Sequence, residues 1–170
     1  TNNEILLMDP WMSKNGAFDS SWYQFPSNHS LGDEIRQEID STLKEVYIYI
    51  SHEHKDHFDV DYLKTLNLSK INFITPKFRR DHVASVLDKL NPKSVTTPID
   101  SEVLKIGEME IRLFLDDQEI VRDSAIGLID FENDFTFLNL NDCKVYDRVD
   151  ELKSIFKKFD VFTCLLYTSD

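Results

Sequence analysis

The sequence predicts an α/β layered fold that continues into an antiparallel β-meander. In the first half of the 170 residues, short runs of β-branched and aromatic residues alternate with segments of helical periodicity. In the second half, short strand-like segments follow one another, and small polar turns separate them. We therefore expect one domain, residues 1–170, in which helices cover a sheet-rich core.

The first predicted element is a buried strand at residues 4–10, "EILLMDP", which ends at Pro10 because proline has no backbone N–H. Residues 11–32 lack periodicity but hold five aromatic residues, which favours a packed loop near a pocket over a disordered one. The next segment, residues 32–43, predicts a helix because its apolar residues recur every four positions: Ile35, Ile39 and Leu43.

Two further strands are predicted at residues 45–50 and 70–75, where β-branched and aromatic residues dominate. Between them, Asp59 is placed to cap a helix over residues 59–69. Another helix is predicted over residues 77–91, with an apolar side formed by Val83, Val86, Leu87 and Leu90.

The meander is predicted from residue 94 onward, in the segments "SVTTPI", "EVLKIG", "MEIRLFL", "SAIGLIDF" and "DFTFLNLN". After it, residues 148–159 predict an amphipathic helix, and "DVFTCLLYT" at 160–168 predicts another buried strand. The inward side of this helix would consist of Val149, Leu152, Ile155, Phe156 and Phe159.

The composition of the chain limits which partners it can bind and indicates where in the cell it is located. The formal net charge of −12 opposes binding to DNA or to an anionic membrane surface, so we expect a small-molecule substrate and no nucleic acid. No apolar run approaches the roughly 20 residues of a membrane span, and no signal peptide opens the chain, so the expected location is cytoplasmic. The chain begins inside one apolar run and stops after another, which predicts a partial domain; the oligomeric state stays open.

A cluster of histidines follows the strand at residues 45–50. The segment "SHEHKDH" contains three of the five histidines, His52, His54 and His57, together with Asp56. In an extended backbone the residues at i and i+2 point to one side, so His52 and His54 can converge on one ion, and the turn that follows brings the other two near. Imidazole and carboxylate suit Zn²⁺, and also Fe or Mn. The alternative interpretation is a solvated polar loop.

The pattern H-x-H-x-D-H after a hydrophobic strand resembles the signature of the metallo-β-lactamase-fold superfamily. "ILLMDPW" is similar to the early strand of that superfamily that ends in an aspartate, here Asp9. "FTFLNLNDCK" is similar to the later strand whose terminal aspartate bridges two metals, here Asp142. Within the superfamily, "DPWMSKNGAF", "SWYQFP" and "LNLNDC" most resemble the branch of the CMP-N-acetylneuraminate hydroxylases and the N-acylphosphatidylethanolamine phospholipase D relatives.

The resemblance implies an αββα sandwich with one or two divalent metal ions, zinc before iron or manganese, at one edge. His52 and His54 would hold the first ion, Asp56 and His57 the second, and Asp142 would bridge them. A hydroxide between the ions would be nucleophilic at neutral pH, and Asp56 would act as the catalytic residue that orients it.

The chain departs from the superfamily pattern in its third histidine. Residues 112–141 contain no histidine, and only carboxylates could substitute for it there: Asp116, Asp117, Glu119 and Asp123. A carboxylate ligand would favour Fe or Mn. The alternative is that these acids form only a surface turn. The last histidine of the pattern would lie beyond residue 170.

Four other residues have competing interpretations. Asp9 either orients ligands from outside the metal's own shell or takes part in catalysis. His29, in the aromatic loop, either faces a pocket or does not, and we expect His82 to be a surface residue. Cys143 follows Asp142 and is expected to point away from the site, so we do not assign it a catalytic thiol.

Three functions compete. The first is a metal-dependent hydrolase of an ester, amide or phosphodiester. The second is an iron-dependent oxidoreductase module related to the sialic-acid hydroxylases, whose Rieske pattern C-x-H…C-x₂-H is absent from this sequence. The third is a degenerate domain that binds a partner without catalysis, suggested by the missing third histidine.

Overall fold

The computed structural model describes residues 1–118 and 122–164. Their contacts divide the chain into two compact units. The parallel unit comprises Asn2–Thr75 and Asp81–Thr97. The antiparallel unit comprises Thr1, Pro76–Arg80 and the described residues from Pro98 onward. Each unit is described by itself.

The parallel unit is built on a four-stranded sheet in which every neighbouring pair of strands is parallel, in the order β1-β2-β3-β4. The strands are β1 (Glu4–Met8), β2 (Glu45–Tyr49), β3 (Ile71–Ile74) and β4 (Ser94–Thr96). The helices are α1 (His29–Ser41), α2 (Val60–Leu63) and α3 (His82–Lys89), and a 3₁₀ turn covers Leu68–Lys70. The predicted alternation of strands and helices is therefore confirmed.

The core of the parallel unit forms around the two central strands, because parallel strands covered by helices are apolar along their length. Ile48 of β2 and Phe73 of β3 are fully buried, and Ile39 of α1 and Leu87 of α3 pack into the same cluster. Helix periodicity therefore identified the correct faces of α1 and α3.

The helix limits differ from the predicted ones for tertiary reasons. Helix α1 begins at His29 and ends at Ser41, so Leu43 lies beyond it and is fully exposed, contrary to prediction. Helix α3 begins at His82 because Pro76–Arg80 belongs to the antiparallel unit, where the Lys77 N–H donates to the Pro98 carbonyl. Within residues 1–118 and 122–164, no helix combines the length and apolar character of a membrane crossing.

The antiparallel unit is a five-stranded sheet in the order β5-β6-β7-β8-β9. Its strands are β5 (Val103–Ile106), β6 (Met109–Asp117), β7 (Arg122–Asp130), β8 (Phe135–Asn139) and β9 (Val161–Thr163). The first four form an antiparallel meander, as predicted for the segments from "EVLKIG" onward. The prediction was wrong for "SVTTPI", because Ser94–Thr96 is β4 and pairs parallel to β3. Strand β9 pairs parallel to β8 after helix α4 (Val149–Ile155) and a 3₁₀ turn at Tyr146–Arg148. The three residues of β9 are exposed, so the prediction of a buried strand was wrong there; residues 165–168 of that prediction lie outside the described residues.

A second core lies where α4 and the segment after it pack on the sheet of this unit. Phe114 of β6, Leu138 of β8 and Phe156 belong to one buried cluster. At Gly127 of β7, a Cβ atom would lie 2.3 Å from the Cζ atom of Phe156. Only glycine leaves room for that ring. The inward positions predicted for α4 hold for Leu152 and Phe156, whereas Val149 and Phe159 are exposed.

Candidate metal centre

The histidine segment lies at the carboxyl-terminal edge of the parallel sheet, the edge at which such sheets commonly bind ligands. Strand β1 delivers Asp9 to this edge and β2 delivers Ser51. The Asp9 N–H donates to the Tyr49 carbonyl at 2.9 Å, and the Ser51 N–H donates to Asp9 Oδ1 at 2.7 Å. The two strand ends are thereby joined across 42 residues of sequence.

Three imidazole rings cluster in the loop after β2. Nε2 of His52 and Nδ1 of His54 lie 2.8 Å apart, and the ring centroids of His52 and His57 lie 4.3 Å apart. His52 is buried and His54 is exposed, so the pair extends from the interior to solvent.

The predicted approach of the His52 and His54 imidazoles is present. Strand β2 ends at Tyr49, so the two residues follow the strand and do not belong to it. The predicted turn comes next, and in it the His54 carbonyl accepts from the N–H groups of His57 and Phe58 at 3.0 and 2.7 Å. This turn returns His57 toward His52.

Asp9 contacts the imidazole of His57, and its predicted role of orienting a metal ligand stays a prediction. Its Oδ2 atom accepts from the Ser51 hydroxyl at 2.6 Å and contacts Nδ1 of His57 at 2.8 Å. The backbone φ of Asp9 is 42°, in the left-handed region that aspartate tolerates better than most residues. Nδ1 of His57 thus faces the carboxylate of Asp9, and its Nε2 atom is on the side of Asp56.

Asp56 lies beside His57 with one oxygen available. Its Oδ2 atom is 3.7 Å from Nε2 of His57, too long for a hydrogen bond. Two ligands of a tetrahedral cation at about 2.1 Å each are separated by about 3.4 Å, close to this distance. The Oδ1 atom of Asp56 is buried and has no hydrogen-bond partner among the described residues. A buried carboxylate oxygen of this kind fits a cation or an ordered water.

Asp59 joins the histidine segment to the aromatic loop. Its Oδ1 atom accepts from the Tyr62 N–H at 3.0 Å, which confirms the predicted cap of α2, although that helix ends at Leu63 and not at 69. Its Oδ2 atom accepts from the N–H groups of Met12 and Ser13 at 3.0 and 2.7 Å. Sequence reasoning missed this second role, since no local signal connects positions 47 residues apart.

The aromatic loop reaches the exposed side of the cluster. The Phe18 ring meets the His54 imidazole edge to face at 6.2 Å and the Trp22 ring at 5.2 Å. A cavity of about 450 Å³ opens beside Phe18 and is lined also by Ser13, Asp19, Lys55 and Asp61. The loop lies beside a pocket, as predicted, but the predicted packing of its aromatic residues is largely wrong, because four of the five are exposed: Phe18, Trp22, Tyr23 and Phe25.

The other predicted site residues belong to the antiparallel unit. Asp142 is half-buried in the loop after β8, next to Asn141, whose φ is 49°. Its ligand role, like those of the histidines, stays a prediction. Cys143 is buried, and burial raises the pKa of its thiol to about 12, which agrees with the absence of a catalytic role.

The acids considered as replacements for the third histidine are occupied differently. Asp117 accepts from the Arg79 N–H at 3.0 Å. Asp123 is buried, and its Oδ1 atom accepts from the Ser124 N–H at 2.6 Å. Asp116 is half-buried in β6, and Glu119 lies outside the described residues.

The remaining two histidines lie in the parallel unit. His82 is exposed at the start of α3, as predicted. His29 is half-buried at the start of α1 and lines a cavity of about 170 Å³ with Met12 and Tyr62. The pocket interpretation of His29 is thus the one that the structure favours.

Comparison with known proteins gives relatives much longer than this chain. No family model matches it. Two proteins of Mycobacterium tuberculosis strains, provisionally named Rieske 2Fe-2S iron-sulfur proteins, are each 30% identical to it over 163 residues. A similarly named protein of Mycolicibacterium smegmatis is 29% identical. The matches cover 92% of this chain, which spans about 30% of the length of these relatives.

Two solved structures of CmlA share the architecture. CmlA from Streptomyces venezuelae, a diiron β-hydroxylase, superposes with a TM-score of 0.59 at 15% identity. A mutant of the same β-hydroxylase superposes with a TM-score of 0.63 at 17% identity, over 92% of this chain and 31% of that one. The chain has the metallo-β-lactamase fold. The narrower branch within this superfamily stays a prediction, and so does the partial domain.

Proposed function

We propose that the chain is a metal-dependent enzyme domain whose first cation is held by His52 and His54. Asp56 and His57 hold a second ion. The observation that supports this proposal is the 2.8 Å approach of two imidazole nitrogens, one on a buried residue and one on an exposed residue. Such a pair offers two nitrogen ligands to one ion that solvent and substrate can reach.

The donor set fits a divalent transition metal. Imidazole nitrogen and carboxylate oxygen suit Zn, Fe and Mn, whereas Mg and Ca prefer oxygen alone. The buried Oδ1 atom of Asp56 needs a partner that the described protein atoms do not supply, and a cation is one such partner. Zinc is the metal that the sequence predicts, but the relatives' names point to iron chemistry, and both metals accept this donor set.

Iron-dependent oxidation of a small molecule is the first reaction class. The names of the mycobacterial relatives and the diiron activity of CmlA favour it. The balanced reaction converts R–H, O₂, two electrons and two protons into R–OH and water. An iron–sulfur protein would supply the electrons, since this sequence carries no Rieske pattern of its own. The residues of this chain would hold the iron, and the aromatic loop beside His54 would receive the substrate.

Hydrolysis is the second reaction class. The observation that favours it is the buried Oδ1 atom of Asp56, which has no hydrogen-bond partner among the described residues. Bound cations of this kind lower the pKa of a water ligand and polarise the carbonyl or phosphoryl oxygen under attack. The Oδ1 atom of Asp56 is able to accept a proton from an attacking water and to orient it. The substrate would then be an ester, amide or phosphodiester.

Metal content and two assays test the proposal. We expect the purified chain to hold at least one equivalent of zinc or iron by elemental analysis, and His54→Ala to lose most of it. The matched control is His82→Ala, an exposed histidine of the same unit, which should keep the metal. Less than about a tenth of an equivalent of any transition metal in both proteins would favour a non-catalytic binding domain.

The assays separate the two reaction classes. Oxidation is supported if the bound metal is iron, and if dithionite reduces it and O₂ reoxidises it in the unmodified chain but not in His54→Ala. Hydrolysis is supported if the bound metal is zinc, and if the chain turns over chromogenic esters or phosphodiesters and His54→Ala does not. Turnover unchanged by His54→Ala contradicts the assignment of a hydrolytic centre to this cluster.

A further inference from the structure

We propose that a cavity in the antiparallel unit binds a medium-chain fatty acid, a molecule with a hydrocarbon chain and one anionic carboxylate. The cavity has a volume of about 450 Å³, within the usual range for small-molecule sites. All of its described lining residues belong to the antiparallel unit, whereas the histidines of the candidate metal centre belong to the parallel unit. The proposal is therefore independent of the metal centre.

The buried part of the cavity lining is apolar. Leu138 of β8 is 1% exposed, and Val145 and Leu152 are each 6% exposed. The buried Cys143 thiol also lines the cavity, and it donates to the Phe114 carbonyl at 3.5 Å, so its one proton is used within the protein. These side chains carry no charge and offer dispersion contacts to a hydrocarbon chain.

Other apolar lining residues are exposed to solvent: Tyr146, Val149, Phe159 and Phe162. The ring centroids of Phe159 and Phe162 lie 6.1 Å apart, and the ring centroid of Phe159 lies 5.4 Å from that of the buried Phe156. This row of rings continues the core of the unit out to the cavity. Contiguous exposed apolar surface of this kind marks a binding site. A bound hydrocarbon chain would remove it from water.

Two exposed lysines, Lys144 and Lys153, give the cavity its charge. Neither makes an ion pair or a side-chain hydrogen bond within residues 1–118 and 122–164, although the chain has 31 acids and only 19 bases. Elsewhere on the surface, Lys158 pairs with Asp134 at 3.0 Å. Asp142 is the one acid among the described lining residues, so the lining carries a net charge of about +1. A monoanionic carboxylate neutralises that charge, whereas an ammonium group would increase it.

The apolar lining and the two lysines together define how the ligand binds. Its hydrocarbon chain contacts Leu138, Val145 and Leu152, and its carboxylate stays in water beside Lys144 and Lys153. Isothermal titration calorimetry with hexanoate, octanoate and decanoate, each below its critical micelle concentration, tests the contact with the hydrocarbon chain. We expect saturable binding with a Kd that falls by about 4-fold for each added methylene, the effect of burying one CH₂ group.

Ligands with the same ten-carbon chain and different head groups test the role of the lysines. We expect decanoate to bind more tightly than 1-decanol, and 1-decanol more tightly than decylammonium. Lys144→Gln and Lys153→Gln should each weaken decanoate by about 2-fold to 5-fold, the range of an exposed ion pair, and leave 1-decanol unchanged. The matched control is Lys157→Gln, which removes an exposed lysine of the same unit that does not line the cavity. It should leave the binding of all three ligands unchanged.

Two measurements locate the bound ligand. Cys164 lines the cavity and is exposed, whereas the Cys143 thiol is buried and slow to react, so iodoacetamide reports on Cys164. Decanoate should slow this alkylation at the concentrations at which it binds. Val149→Trp places an indole at the cavity and should abolish saturable binding, with an unchanged circular dichroism spectrum showing that the chain still folds. Val161→Trp is the control, because Val161 is an exposed residue of β9 outside the lining.

Three results would overturn the proposal. One is the lack of saturable decanoate binding, and another is equal affinity for decanoate and decylammonium. The third is decanoate binding that leaves the alkylation rate of Cys164 unchanged, because the ligand would then lie elsewhere. Sedimentation velocity covers a different occupant of the cavity: a dimer that Val149→Trp dissociates and decanoate does not would assign the cavity to a second copy of the chain, and so would also contradict a fatty-acid site.

Discussion

At the scale of the single residue, Asp59 shows how one carboxylate serves two segments. It caps α2 through the Tyr62 N–H and holds the start of the aromatic loop through the N–H groups of Met12 and Ser13. The side chain is buried, so its removal would leave several backbone donors without partners and away from water. The loop that carries Phe18 toward His54 therefore depends on Asp59, two residues after His57.

We expect Asp59→Ala to destabilise the chain by about 2–4 kcal/mol, the sum of a lost helix cap and unsatisfied buried N–H groups. Chemical denaturation followed by circular dichroism measures this free energy of unfolding. Asp61→Ala is the matched control, because Asp61 is an exposed acid two positions away, and it should change stability by less than about 0.5 kcal/mol. Equal effects of the two substitutions would contradict the bridging role of Asp59.

A second residue-scale prediction concerns the ion pair of Arg148 and Glu151. Hydrogen bonds from Arg148 and Ser101, opposed by partial burial, lower the pKa of Glu151 below its ordinary value of 4.5. The stability from this pair is therefore present above that value and is lost as pH falls through the lowered pKa. We expect the free energy of unfolding to fall less steeply below about pH 4.5 in Glu151→Gln than in the unmodified chain.

The control for this prediction is Glu132→Gln, which removes an exposed acid of the same unit. It should leave the acid limb of the stability profile close to that of the unmodified chain. An identical acid limb in Glu151→Gln and the unmodified chain would mean that the Arg148 pair is not coupled to folding.

At the scale of elements, the packing of Phe156 on β7 depends on Gly127. A methyl group there would overlap the Phe156 ring at 2.3 Å, and Phe114 is also close, at 3.2 Å from the same point. We expect Gly127→Ala to cost about 1–3 kcal/mol, the usual range for overpacking a core. In a double-mutant cycle with Phe156→Leu, thermal denaturation should show a smaller cost of Gly127→Ala, because the smaller side chain relieves the overlap. Additive effects would contradict a direct clash.

Sequence periodicity located most elements but not their ends. Runs of β-branched and aromatic residues predicted β2 and β3, and helical periodicity predicted the buried faces of α1 and α3, because local patterning and burial agree there. Residues 77–81 continue the helical pattern ahead of α3, yet most of them belong to the other unit, where Lys77 bonds to Pro98. A backbone hydrogen bond between residues 21 positions apart does not change the local sequence periodicity. The helix was therefore predicted to begin too early.

At the scale of the whole molecule, cation binding should couple to stability. A ligand that binds only the folded chain stabilises it by about 2.7 kcal/mol at 100 times its Kd. We expect Zn²⁺ to raise the melting temperature of the metal-free chain, a shift that scanning fluorimetry measures. The shift should vanish in His54→Ala and persist in His82→Ala. A shift of equal size in both variants would place zinc elsewhere on this acidic chain.

The sequence predicted that the histidines cluster but not the contacts that support the cluster. The spacing of His52, His54, Asp56 and His57 was sufficient to predict a cluster, because six consecutive positions cannot lie far apart. The link from Asp9 to Ser51 could be anticipated only in general terms, since it requires β1 and β2 to be neighbours. The replacement for the missing histidine was not identifiable, because a carboxylate ligand and a surface acid look alike in one sequence.

The hydrogen bonds between Asp9 and Ser51 also link the metal centre to the order of events in folding. It forms only when β1 and β2 align with Met8 opposite Tyr49, and a slip of one residue would turn Asp9 to the other face. Such non-local pairing is slow compared with turn formation. The turn that brings the histidines together therefore forms early in refolding, and the hydrogen bonds between Asp9 and Ser51 form late. The rate at which tight zinc uptake returns after dilution from denaturant would therefore time the meeting of these two strands.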